Sequence, residues 1–156
     1  MACFADKTLT RQRGAVLAEM AIVTPLLIIL VLATADLTRA FIEHNTLTKV
    51  VRNGARYAAA NAYEGTTGIV NVNAALVNET KNLVVFGNVA GAGAAVLPGL
   101  ALADVSVVQI GTSNDVEVRA TYTISGLLGP MIPGFFLGGD VSTTRGLQAS
   151  VRMRAL

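Results

Sequence analysis

Apolar positions appear first as one long block. Residues 15–35 (AVLAEMAIVTPLLIILVLATA) carry a single charged side chain, Glu19, and are long enough to cross the hydrocarbon core of a bilayer as a helix. The pattern then becomes periodic. Over residues 36–62, Leu37, Ala40, Phe41, Leu47, Val50, Val51, Ala55 and Ala58 recur at spacings of three and four, which predicts an apolar stripe on a continuing helix. Arg39, Glu43, Lys49, Arg52 and Arg56 fall largely on the other side. One helix over 15–62 would be roughly 70 Å long at about 1.5 Å per residue. Pro25 removes a backbone hydrogen bond inside it and predicts a kink or local melting. Gly54 is its weak interior position, costing about 1 kcal/mol relative to alanine.

Beyond residue 62 the pattern breaks into shorter pieces. Residues 63–68 read as a polar turn, and 69–85 as a second, shorter amphipathic helix through Ile69, Val72, Leu76 and Leu83. Residues 87–99 (GNVAGAGAAVLPG) read as a flexible small-residue connection. Strands follow. Residues 104–110 alternate imperfectly, whereas 115–125 alternate cleanly, with Val116, Val118, Ala120, Tyr122 and Ile124 on one face. The turn residues between them, 111–114, join the two as an antiparallel hairpin. An apolar loop with two prolines, 127–139, leads to a third strand over 140–154 that points Leu147, Ala149, Val151 and Met153 inward. The predicted class is α+β: a long N-terminal helix, a short second helix and a small antiparallel sheet packed on the helix.

Composition and charge sharpen the N-terminal end. Apolar residues make up 53% of the chain and charged ones 14%, well to the apolar side of a soluble domain. The net charge of +2 sits in residues 1–14, where Lys7, Arg11 and Arg13 outnumber Asp6; removing three of 12 basic and one of 10 acidic side chains leaves the remainder neutral. The basic balance is therefore a leader property and gives no reason to expect a nucleic-acid partner. The same cations place the N-terminus in the cytoplasm and everything after the apolar block outside. A conventional cleaved secretory signal is the competing reading, but the run exceeds a signal core of about 7–15 residues. The domain organisation expected is a leader (1–14), a membrane helix (15–35), its extracytoplasmic continuation (36–62) and a small head (63–156).

Glu19 is the anomaly within the block. A carboxylate at membrane depth needs a partner unless it lies near enough to the headgroups to snorkel. Gly14 follows Arg11 and Arg13 and precedes Glu19 by five residues. A cut after Gly14 would give Ala15 a new ammonium group. On packed helices offset by about one turn, that amine could meet the Glu19 of a neighbour, each charge satisfying the other and fixing axial register.

Arg13, Gly14, Ala15, Glu19, Ala21, Pro25 and Leu27, then residues 36–41 (DLTRAF) and 52–59 (RNGARYAA), resemble the TadE-like family, pseudopilin-like proteins of tight-adherence (Tad/Flp) pilus systems. The resemblance covers about the first 60 residues, departing at Met20, where an aromatic or other large residue is common. It implies a non-enzymatic minor-pseudopilin subunit, cut by a prepilin peptidase between Gly14 and Ala15 and held in a bacterial inner membrane with its head in the periplasm. It also implies partners among other pilin or pseudopilin subunits and the pilus-assembly machinery. The alternative is an unprocessed single-pass scaffold or binding protein.

The search for other chemistry returns little. Cys3 is the sole cysteine and lies in the leader, and His44, the sole histidine, sits beside Glu43 on the helix. No spacing suggests a nucleophile with its base, a metal site or a cofactor. Gly91-Ala92-Gly93 lacks the lysine and leading strand of a phosphate loop. Asn78-Glu79-Thr80 matches a glycosylation sequon by pattern alone.

Overall fold

A computed structural model describes residues 5–63, 70–111, 114–127, 129–132 and 138–155; for 5–13, 15, 132 and 141 it describes the backbone alone. The expected turn at 63–68 lies almost wholly outside the described residues, as do parts of the loops at 111–114 and 127–139. The chain divides into two compact units, Met1–Arg39 and Ala40–Leu156.

The first unit is helical. Helix α1 spans Ala5–Asn61 with Pro25 inside it, so it begins within the basic leader rather than at residue 15. No proline interrupts 5–14, and its Lys, Leu, Gln and Arg residues are good helix formers. The helix continues through Pro25 without local melting. At the end of the apolar block, Thr34 donates its hydroxyl to Val31 O (2.7 Å) and Thr38 donates to Thr34 O (2.9 Å). Hydroxyls bonded back to the helix in this way cost little in a medium without water.

The second unit contains the last turns of α1, helix α2 (Ala74–Phe86) and strands β1 (Val105–Gln109), β2 (Asp115–Ile124), β3 (Met131–Ile132), β4 (Val141–Ser142) and β5 (Arg145–Arg154). α2 starts five residues later than periodicity suggests because Asn73 caps it, its side chain accepting from Leu76 N at 2.8 Å. Gly87, with φ at 75°, ends it in the left-handed region. Val70 instead bridges Tyr63, and Asn71 N donates to Ala62 O (2.8 Å), turning the chain from α1 toward α2.

The connection after α2 is tied down rather than loose. Val96 N donates to Val85 O (2.8 Å), and the Asn88 amide spans the turn by donating to Ala92 O (2.7 Å) and accepting from Ala92 N (3.1 Å). Leu97 and Leu100 are buried, and the Tyr122 hydroxyl donates to Pro98 O at 2.9 Å.

The main sheet is three-stranded and antiparallel, in the order β1-β2-β5. One face is buried: Val105 and Val107 from β1, Val116, Val118, Ala120, Tyr122 and Ile124 from β2, and Ala149 from β5. These join Leu47, Val51, Ala55 and Ala58 of α1 and Leu76, Val84 and Val85 of α2 in one core. The other face is wet and carries the exposed pairs Arg119–Glu117 (2.9 Å) and Arg152–Asp115 (2.5 Å), each worth at most about 1 kcal/mol. The expected third strand over 140–154 is two elements. β5 completes the main sheet, while β4 pairs with β3 in a separate two-stranded piece inside what reads as an apolar loop. Thr143 fixes that hairpin, donating its N–H to Pro130 O (3.0 Å) and its hydroxyl to Gly129 O.

Candidate membrane and assembly helix

Every side chain described over residues 16–31 is exposed, among them Leu17 (70%), Ile22 (79%) and Leu26 (67%). α1 is the one described helix long and apolar enough to cross a membrane, and none of that apolar window is buried inside the chain. Each such Leu or Ile gains about 1.5–3 kcal/mol when withdrawn from water, so this surface needs lipid or another helix around it.

Glu19 is exposed in the middle of that surface, between Leu17 and Ile22. Gly14 is also exposed, and a Cβ added to it would meet nothing within 4 Å. The fold therefore supplies no packing reason for glycine at 14. The backbone at Lys7, Arg11 and Arg13 is helical; their side chains, and that of Ala15, are outside the described residues. Ala15 lies four residues before Glu19, one helical turn or about 6 Å along the axis. Pro25 lies inside the same helix.

Gly54 is the opposite case. Its added Cβ would overlap Val84 Cγ2 and approach Thr80 Cγ2 at 3.5 Å, with Val84 wholly buried. The absent side chain is what lets α1 and α2 touch, so the weak helical position is a packing position. Three residues on, Tyr57 donates its hydroxyl to Glu79 Oε2 at 2.9 Å across the same pair of helices. That bond, then partial burial and the carboxylate's charge, hold the Tyr57 phenol above its ordinary value.

Two assignments change with the structure. Glu43 is 8% exposed and faces the core, because it lies four residues before Leu47 on the same side of the helix; it is not on the solvated face. Leu37 (48%) and Phe41 (61%), read as part of the apolar stripe, are exposed, as is Ile42 (61%). His44 is exposed. Among the described residues no three His, Cys, Asp or Glu side chains group as metal ligands. The Gly54 contact was the readable signal missed: with Val51, Ala55 and Ala58 it forms a small-residue face at spacings of three and four.

A family model described as TadE-like protein matches residues 14–56. No curated protein and no solved structure matches the chain. The matched segment holds Gly14, Glu19, Pro25, the exposed apolar block and Gly54, so the similarity to TadE-like proteins lies in the anchor helix and its continuation.

Proposed function

We propose that this protein is a non-enzymatic, pilin-like subunit associated with a tight-adherence (Tad/Flp) pilus, anchored in the inner membrane by α1 and acting through that helix in pilus assembly. The observation that carries the reading is the coincidence of the TadE-like match at 14–56 with an apolar helix surface that none of the described residues covers. Lys7, Arg11 and Arg13 keep the N-terminus in the cytoplasm and set the head in the periplasm. A prepilin-type peptidase cuts between Gly14 and Ala15. The glycine there is unexplained by packing, which supports recognition by another protein. The new amine of one subunit and Glu19 of the next, offset by about one helical turn, neutralise each other at a depth where either alone is expensive.

The mature N-terminus tests this. Intact mass of the chain from membranes of peptidase-competent cells should show loss of residues 1–14, and Gly14→Leu should restore the full-length mass. A full-length chain in those cells overturns the processing and leaves the unprocessed single-pass scaffold in its place.

A further inference from the structure

The main sheet ends in a long edge strand, β5. One bond beyond its end fixes which way its backbone points: Ala155 N donates to Asn114 O at 2.7 Å. Carried back through the unbroken register from Asp115↔Arg154 to Ile124↔Arg145, that phase gives the odd-numbered residues of β5 to β2. The N–H and C=O groups of Gly146, Gln148, Ser150, Arg152 and Arg154 therefore point away from the sheet. All are exposed, and among the described residues none has a backbone partner on that side. β5 also lacks proline, lysine and a bulge; its charges are three arginines, of which Arg152 is held by Asp115.

We propose that β5 is an interface for a second copy of this chain, pairing antiparallel with β5 of that copy about a two-fold axis at Ser150. The strand is self-complementary in this register. Ser150 lies opposite Ser150 of the second copy, Gln148 opposite Arg152 and Gly146 opposite Arg154, so no like charges face each other. On the core side Leu147 meets Met153 and Ala149 meets Val151. Leu147, Val151 and Met153 are only partly buried in one chain, and this pairing covers them. Moving the axis to Arg152 sets guanidinium against guanidinium. Moving it to Ala149 sets Arg145 against Met153. The Arg152 charge is already balanced by Asp115 at 2.5 Å, so it does not repel the incoming strand. The result is one continuous sheet with both cores on the same face, an isologous interface.

The test uses the full chain in its membrane, with Cys3→Ser removing the native thiol. Ser150→Cys, treated with a short bis-maleimide, should yield a covalent dimer of this chain. Ser106→Cys, also exposed, on β1 at the other edge, should yield none. Ser150→Pro supplies the second variant: its N–H points outward, so no bond to β2 is lost and the head stays protease-resistant. The dimer formed by Gln148→Cys with Arg152→Cys should disappear when Ser150→Pro is added. Equal crosslinking at positions 106 and 150, capture of a different protein alone at 150, or a dimer that survives the proline overturns the proposal.

Discussion

Two glycines on one helix are subject to opposite constraints. Gly14 stands in open space, where a methyl group would touch nothing and would favour the helix by about 1 kcal/mol. Gly54 stands against Val84, a short, fully buried side chain that cannot swing away. Gly54→Val should therefore destabilise the head by about 1–3 kcal/mol, read as a lower midpoint in denaturant unfolding of the detergent-solubilised chain. An unchanged midpoint would mean that α1 and α2 separate without cost. Glu43 shows why sequence misplaces single residues. Its charge argues for solvent, but its position four residues before Leu47 argues for the core, and geometry prevailed. Phe41 is the reverse case: its apolar ring suggested burial, and the core does not reach it.

The elements were legible wherever their two sides face different media. β2 separates a dry face from a wet one along its whole length, so its alternation names Val116, Val118, Ala120, Tyr122 and Ile124 without ambiguity. β3 and β4 span only Met131–Ile132 and Val141–Ser142, too short for any period to register, and the flanking prolines read as loop. For α2, Ile69 and Val72 extended the helical period backward, but the Asn73 cap sets the true start. Asn73→Ala should cost about 1 kcal/mol and raise amide exchange first at Leu76, whose N–H loses its acceptor. Exchange at Leu76 no faster than before would show that the first turn holds without its cap.

For the molecule as a whole, residues 14–56 cross the boundary between the two units at Arg39 and Ala40. The apolar anchor helix was legible from length and composition. The proposed roles of Gly14 and Glu19 are not legible in the same way, because a peptidase or a neighbouring subunit would lie outside this chain's own energetics. Glu19→Ala makes the block more apolar, so insertion and cleavage should hold at normal levels while co-purification with pilus components is lost. Wild-type co-purification would return Glu19 to the snorkelling reading. The core of the second unit takes Leu47, Val51, Ala55 and Ala58 from α1, and this dictates where a soluble fragment can begin. A fragment opening at Ala40 leaves the greasy block behind and keeps all of those residues. One opening at Tyr63, where the helix has ended, takes Leu47, Val51, Ala55 and Ala58 out of the core they share with Val84, Val85 and Val118, and should aggregate where the longer fragment does not.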